Sequence, residues 1–434
     1  MSRFEQPRNI LLVHPNFPGQ FRHLAAHWAQ RQDLRVIGLG GTRSPGIPGL
    51  QHLRYRSPHR QPGGHPYLRP MEHAVSAGQA TARAYLQLKR QGFTPDVVLA
   101  HPGWGDTLYL RDVFPDTRLI HFCEWYYNAH GADVGFDPEF PATLDNHARI
   151  RTWNALHALN LTLCDDSVCP TAWQRSVHPP IFQPRIHVLH EGIDTERLGP
   201  DPQATFTLPN GTQVKAGDPV ITYVARNLEP YRGIHSFLRA LAIVQRRHAN
   251  CQALIVGGND VSYGQRPQDA AHWREKLSRD IALDPARTHF LGKLPYDRYR
   301  RVLQVSAAHV YLSYPFVLSW SMLEAMASGC LVIGADTAPV REVIRHGENG
   351  WLVDFFNYPG IAKRIVETLN NPAAQNPLRQ QARSDIAARY SLAQGLAGYN
   401  RLLGLESSTA ESLSRNHDPA DFRSMSKTSM AEMP

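Results

Sequence analysis

Cysteine is scarce: five residues in a chain of 434. The number is odd and no Cys-x-x-Cys occurs, which excludes a disulfide framework and a zinc ribbon and leaves buried thiols as the expectation. No run of 18 or more apolar residues appears, so no helix is expected to span a bilayer. The opening Met1-Ser-Arg-Phe-Glu-Gln-Pro-Arg8 lacks the apolar stretch of a secretory signal. Neither Gly-x4-Gly-Lys-Ser/Thr nor Gly-x-Gly-x-x-Gly is found, which leaves P-loop and dinucleotide readings unsupported. There is no Asp-x-Asp either. Asp137-Pro-Glu139 comes nearest, and its proline favours a loop over a divalent-cation site.

What is present suffices for real cores. Hydrophobic residues make up 42% and charged residues 19%, which excludes a mostly disordered chain. The length suits two domains. With 46 Lys and Arg against 38 Asp and Glu the net charge is +8, compatible with nucleic acid, an anionic membrane face or a phosphate-bearing substrate. The arginines are scattered and no nucleic-acid module accompanies them, so no nucleic-acid partner is expected.

The chain opens strand, loop, helix, strand: Asn9 to His14, Pro15 to Gln20, Phe21 to Gln30, Leu34 to Leu39. This is the start of a parallel α/β sheet. Gly40 to Pro70 reads as a surface excursion and Glu72 to Gln91 as a helix. Strands follow at Asp96–Ala100 and Arg118–Cys123. A long helix spans Leu144 to Leu163, with Trp153, Leu156 and Leu159 on one face, and Ile186–His190 is a late strand. Thr195 to Ala216 reads as a linker. Alternation then restarts: strands at Val220–Val224, Ala253–Gly257, His289–Gly292, Val310–Ser313, Leu331–Gly334 and Gly350–Val353, with helices at Ile234–Arg247, Tyr296–Val305 and Met322–Ala327. The Ser-rich segment from 406 to 434 reads as disordered.

Open parallel sheets place ligands beyond the carboxyl ends of their strands, so residues there are candidates for chemistry. Arg226, after a strand, and Arg232, at a helix start, would clamp a diphosphate through bidentate donors and helix amides. Glu324, in the opening turn of its helix, suits a pair of vicinal hydroxyls such as a ribose. Gly19 allows close backbone approach in the first loop. His101 and Glu124 end two strands, and Trp125 with its neighbours offers aromatic faces that suit a sugar. Each has a plainer structural reading: surface arginines, a dipole-favoured carboxylate, a simple turn, a capped histidine, an aromatic cluster.

The second half resembles the donor domain of glycosyltransferase family 4. The resemblance rests on Val224-Ala-Arg-Asn-Leu-Glu-Pro-Tyr-Arg-Gly233, Leu254-Ile-Val-Gly-Gly258, His289-Phe-Leu-Gly-Lys-Leu-Pro295, Met322-Leu-Glu-Ala-Met-Ala-Ser-Gly-Cys-Leu-Val-Ile-Gly334 and Glu342-Val-Ile-Arg-His-Gly-Glu-Asn-Gly-Trp-Leu-Val353. Val13-His-Pro-Asn-Phe-Pro-Gly-Gln-Phe-Arg22 is similar to a bacterial subgroup of the same family, and the resemblance runs from about residue 9 to 403. It implies an α/β, GT-B fold: two Rossmann-like parallel-sheet domains facing across a cleft. The expected division is 1–200 for the acceptor side and 201–405 for the donor side, the last helix packing back on the first domain.

The resemblance also implies a retaining, metal-independent glycosyltransferase without a cofactor, its co-substrate a nucleoside diphosphate sugar and its acceptor a glycan or lipid-linked glycan. Arg226, Arg232 and Glu124 take the catalytic positions. Gly19, Glu324, Gly257, Leu318 and Ser319 take donor-binding ones, and His101 and Trp125 stand on the acceptor side. Two departures are visible. The first Glu of the family's Glu-x7-Glu motif is Phe316 here, and Glu124 stands where many members carry His. A nucleotide-sugar epimerase and a sugar-binding pseudoenzyme are the alternatives. The expected location is the cytoplasm, with peripheral contact at the inner membrane face through the basic stretch Arg54-Tyr-Arg-Ser-Pro-His-Arg60.

Overall fold

The computed structural model describes residues 8–56 and 64–405. The segment 406–434 and most of the basic stretch, from residue 57 onward, lie outside the described residues. Seven strands form the first sheet: β1 (Arg8–Val13), β2 (Leu34–Gly41), β3 (Gln51–Tyr55), β4 (Val97–Ala100), β5 (Arg118–Phe122), β6 (Asp166–Cys169) and β7 (Ile186–Val188). Their spatial order is β3-β2-β1-β4-β5-β6-β7, and every pairing is parallel. β8 (Thr205–Thr207) and β9 (Gln213–Lys215) make a separate antiparallel hairpin. The second sheet holds β10 (Val220–Asn227), β11 (Gln252–Gly258), β12 (Thr288–Gly292), β13 (Ala308–Tyr311), β14 (Val332–Ala335) and β15 (Trp351–Val353). Its order is β12-β11-β10-β13-β14-β15, also parallel throughout.

The central strands are apolar on both faces because helices cover both. Ile10 to Val13 and Val97 to Ala100 are fully buried, as expected for the middle of a doubly wound sheet. The helix Ile234–Arg247 buries Ile234, Phe237, Leu238, Leu241 and Val244, the 3–4 spacing of a core-facing stripe. Phe237 stacks on Tyr223 of β10 with ring centroids 4.9 Å apart. Each such side chain contributes about 1.5–3 kcal/mol on burial. All five cysteines are buried and unpaired. Among the described residues no helix is long and apolar enough to cross a membrane.

Several elements differ from the sequence reading, and in the four that follow tertiary context prevails over local pattern. β3 lies inside the expected surface excursion; as an edge strand it needs few apolar residues, and only Tyr55 is buried. β6 was not expected, because Asp166-Ser-Val-Cys169 is half polar, yet it pairs with both β5 and β7. The expected linker contains the β8–β9 hairpin, whose Phe206 and Val214 pack on Val220 and Leu254. Finally, Trp153, Leu156 and Leu159 do not share one buried face: Leu156 is buried, Leu159 is 40% exposed, and Trp153 lines a cleft.

Beyond β15, three helices close the chain: Tyr358–Asn370, Asn376–Tyr390 and Leu392–Leu403. The last returns to the first sheet, where Tyr399, Leu403 and Leu405 pack with Ile10, Leu12, Trp28 and Phe122. Trp28 Nε1 donates to Asn400 Oδ1 at 2.8 Å.

Candidate active site

Strand order reverses between β1 and β4 in the first sheet and between β10 and β13 in the second. At such a switch point adjacent loops diverge and leave a crevice beyond the strand ends. His14 follows β1 and His101 follows β4, their ring centroids 5.5 Å apart. Gly19 sits in the loop after β1 with φ +51°, and a Cβ there would stand 2.6 Å from the His14 ring. Only glycine fits. The short 3-10 turn Gly19–Phe21 aims Gln20 across the crevice, and its Nε2 donates to Glu124 Oε1 at 3.1 Å.

His101 faces the other Glu124 oxygen, Nε2 to Oε2 at 3.4 Å. Its Nδ1 accepts from Gly103 N at 3.1 Å, which assigns the remaining proton to Nε2. Burial pushes the Glu124 carboxyl up, but the His101 hydrogen bond and charge, then Gln20, outweigh it, and the group rests below its ordinary value. His14 is driven down to about 3, mainly by burial and then by His101, so it is neutral. Glu124 is thus a partly buried carboxylate with oriented donors at the switch point.

In the second sheet Arg226 lies within β10, not after it. It falls where the register against β11 shifts, between Val224 and Asn227, and an irregularity of this kind re-aims a side chain. Arg226 is exposed, and its charge acts on His14 of the opposite sheet. Arg232 ends the 3-10 turn Pro230–Arg232. Its Nη1 donates to Ser313 Oγ at 3.0 Å and to the Val317 carbonyl at 3.1 Å, bridging the β10–β13 switch point. Among the described residues no carboxylate lies within ion-pair distance of it, though the buried Glu229 acts on its charge, and its guanidinium stands over the Tyr263 ring at 5.2 Å.

Glu324 is in the second turn of the helix Trp320–Ala327, not in its opening turn, so the helix dipole does little for it. Its oxygens accept from Tyr296 at 3.3 Å and Tyr299 at 2.7 Å, and each keeps a lone pair for a further donor. Burial raises its pKa, opposed by the two phenols. Ser319 caps that helix and takes the Tyr311 hydroxyl on its own N–H at 2.9 Å, while Leu318 is buried beside Tyr311. Gly257 lies where a Cβ would meet the Ala225 carbonyl at 2.8 Å. Across the cleft, His23 stands 6.1 Å from Trp320, ring to ring.

Phe316 is buried in a box that joins the two sheets, 4.7 Å from Trp125, 4.8 Å from Tyr263 and 5.7 Å from Tyr231. Sequence reasoning missed what holds this box. Glu229 is fully buried, and its carboxylate accepts from the backbone N–H groups of Ser262, Tyr263 and Gly264 at 3.0, 3.1 and 3.0 Å. It thereby pins the loop that lays Tyr263 beside Arg232. Glu229→Gln is expected to turn an amide N–H₂ toward those donors, free the loop and lower kcat/KM by about tenfold. Trp273, whose Nε1 donates to Gln265 O at 2.8 Å in the same loop, reports the change in its fluorescence.

A segment of the first half, Asp133 to Phe140, docks on the second. Tyr231 donates to Asp133 Oδ2 at 2.6 Å; His235 and Tyr314 donate to Asp137 Oδ2 at 2.9 and 2.7 Å; Arg239 pairs with Glu139. Phe136 packs among Tyr314, Phe355 and Phe356. Asp137, Glu139 and His235 could by proximity hold a cation, but both carboxylates are taken up by these partners, and the trio acts as a clasp. Glu342 adds another, accepting from Ala172 N at 2.7 Å and Trp173 N at 2.8 Å. Between the halves lies a cleft of about 870 Å³. It brings together His101, Glu124, Trp125, Tyr231, Tyr263 and Phe316. Gly19, Arg226, Arg232, Gly257, Leu318, Ser319 and Glu324 lie outside its lining.

Two Rossmann-like sheets facing across a cleft, with cations at one switch point and an oriented carboxylate at the other, define a GT-B protein. Comparison agrees: the family described as "Glycosyl transferase family 4 group" matches residues 32–198, and "Glycosyl transferases group 1" matches 206–385. The chain belongs to the glycosyltransferase family 4 type of GT-B enzymes. It is 29% identical to a D-inositol 3-phosphate glycosyltransferase of Nocardia farcinica over 39% of this chain, a match that spans 36% of that relative's length. It is 24% identical to a glycogen synthase of Mycobacterium tuberculosis, over 74% of this chain and 72% of that one. The fold is similar to that of a sucrose-phosphate synthase from Thermosynechococcus elongatus, with TM-score 0.69, 16% identity, and coverage of 92% of this chain and 98% of that one. Anabaena HepE, solved in complex with UDP and glucose, gives TM-score 0.65, 14% identity, and coverage of 92% and 100%.

Proposed function

We propose that the protein moves a sugar from a nucleoside diphosphate sugar to a glycan or lipid-linked glycan, with retention and without a metal ion, in the synthesis of a cell-surface polysaccharide. Residues 1–200 form the acceptor side and 201–405 the donor side. The reading rests on one observation above all: a guanidinium anchored on neutral groups, Arg232, stands at the switch point of one sheet and the Glu124–His101 pair at that of the other. Breaking a glycosidic bond to a diphosphate builds negative charge on the leaving oxygens. Arg232, Arg226 and the amides of the turn between them stabilise that charge, the largest single contribution expected. Glu324, with a free lone pair on each oxygen, accepts from the ribose hydroxyls. Gly19 lets its loop approach the donor, Gly257, Leu318 and Ser319 complete the donor side, and Trp125 and His101 border the acceptor. Glu124 faces the positive charge that develops on the sugar, and the acceptor hydroxyl attacks from the face the diphosphate leaves. The likeness to HepE, a protein solved with UDP and glucose, supports a nucleotide ligand. We place the enzyme in the cytoplasm, peripheral to the inner membrane face.

A thermal-shift panel of nucleoside diphosphates and their sugars tests the reading, since ligand binding stabilises the native state by mass action. A rise in melting temperature with one of them, followed by diphosphate release on adding acceptor, is the expected result; no response to any of them contradicts it. Turnover is expected to survive excess EDTA, because Arg226 and Arg232 supply the neutralising charge. A strict Mg²⁺ or Mn²⁺ requirement would show otherwise. Phe316 favours a second reading, a sugar-binding relative without turnover, which would respond in the thermal shift but release no diphosphate.

A further inference from the structure

We infer that the acceptor is a neutral sugar chain of two or more units, read by a second subsite at Trp153 and Tyr127, remote from the reacting centre. The inference rests on the transferase reading above and goes beyond it in naming the acceptor's size and chemistry. Trp153, on the helix Leu144–Leu163, stacks on Tyr127 with centroids 4.6 Å apart and planes 24° from parallel. Both rings are half-buried and line the cleft.

The pair is held rigidly. Tyr127 N donates to Asn154 Oδ1 at 3.1 Å, and Asn154 Nδ2 donates to Tyr127 O at 2.7 Å, so one asparagine locks both backbone groups of Tyr127. A preformed aromatic face costs little ordering when a ligand arrives. His157, one turn beyond Trp153, also lines the cleft, and its Nε2 is buried without a partner. Burial, then His101, holds His157 neutral, so this ring can exchange a hydrogen bond with a hydroxyl.

An apolar face beside an unsatisfied neutral polar atom matches a pyranose, which offers C–H groups on one side and hydroxyls at its edge. An alkyl chain would leave the His157 nitrogen unpaired. The cleft sets the size. At about 870 Å³ it has room for more than one pyranose, and its lining runs from His101, Trp104 and Glu124 to Tyr127 and Trp153. Trp104, 37% exposed beside His101, is an aromatic face at the near end.

Calorimetric titration with glucose, xylose and mannose, and with maltotetraose, cellotetraose, xylotetraose and mannotetraose, tests the subsite. At least one tetrasaccharide should bind about tenfold or more tightly than its monosaccharide. Trp153→Ala should remove most of that ratio and Trp153→Tyr should retain it, with melting temperatures checking that both variants fold. Equal affinity at both lengths, or an equal loss at both lengths in Trp153→Ala, overturns the proposal. Stabilisation by UDP is measured on the same samples. If it persists while length dependence is absent, the subsite fails and the transferase reading stands. If no nucleotide stabilises the protein, that reading fails first.

Discussion

Arg232→Ala lowers kcat/KM by about 2–4 kcal/mol of transition-state stabilisation, roughly one and a half to three orders of magnitude in rate. The expectation follows from the company this guanidinium keeps. It is anchored on Ser313 Oγ and the Val317 carbonyl, both neutral, and the carboxylate that acts on it, Glu229, is itself engaged by three loop amides. Tyr263 covers it on one side, which limits its contact with water and strengthens its interaction with a phosphate. Arg232→Lys keeps the charge but cannot reach both anchors and a phosphate in one plane, so it falls between wild type and Ala. Steady-state kinetics at saturating acceptor decide the matter; wild-type turnover in Arg232→Ala would remove this residue from the diphosphate clamp.

The second large effect concerns stability and pH. Glu191 is buried just before Gly192, which packs on Leu392, where the chain passes between the two sheets. Burial pushes its carboxyl up to about 8, and Oε2 finds no hydrogen-bond partner. The native state therefore holds a proton that the unfolded chain releases near 4.5, the ordinary value for Glu. A raised folded pKa contributes stability that is complete below 4.5 and lost as pH rises toward 8. The slope is at most about 1.4 kcal/mol per pH unit within that window. Glu191→Gln, which cannot titrate, is expected to remove this contribution, so its denaturation midpoint changes less than wild type between pH 5 and 8. Chemical denaturation at four pH values measures it, and parallel pH dependences in the two proteins would count against a protonated Glu191.

Much of the architecture was legible along the chain. The runs at Ile10–Val13, Val97–Ala100 and Ile221–Val224 are apolar because helices cover both faces of the central strands, and length and flanking turn residues distinguish them from helices. Edge elements were not legible. β3 and β6 owe their existence to hydrogen-bonding partners, not to their own polar residues. The site divides in the same way. Arg232, Glu124 and His101 follow strands and could be found by that rule, whereas Arg226 stands inside the end of one. Glu229 and the Asp133–Phe140 clasp could not, since a carboxylate three residues before an arginine gives no hint that it binds the amides of a loop some thirty positions later.

Sequence by itself determined the alternation of strand and helix, the two-sheet organisation and the family, because hydrophobic period and motif spacing are local and survive in one dimension. Tertiary structure alone decided which loops meet. The order β3-β2-β1-β4 places His14 beside His101, and β10 beside β13 places Arg232 against Ser313. Phe316 shows the difference most plainly. In the sequence it is a missing carboxylate; in the fold it is the wall shared by Trp125, Tyr231 and Tyr263. Aromatic packing of this kind depends on side chains about 50 to nearly 200 positions apart, and no period along the chain records such contacts.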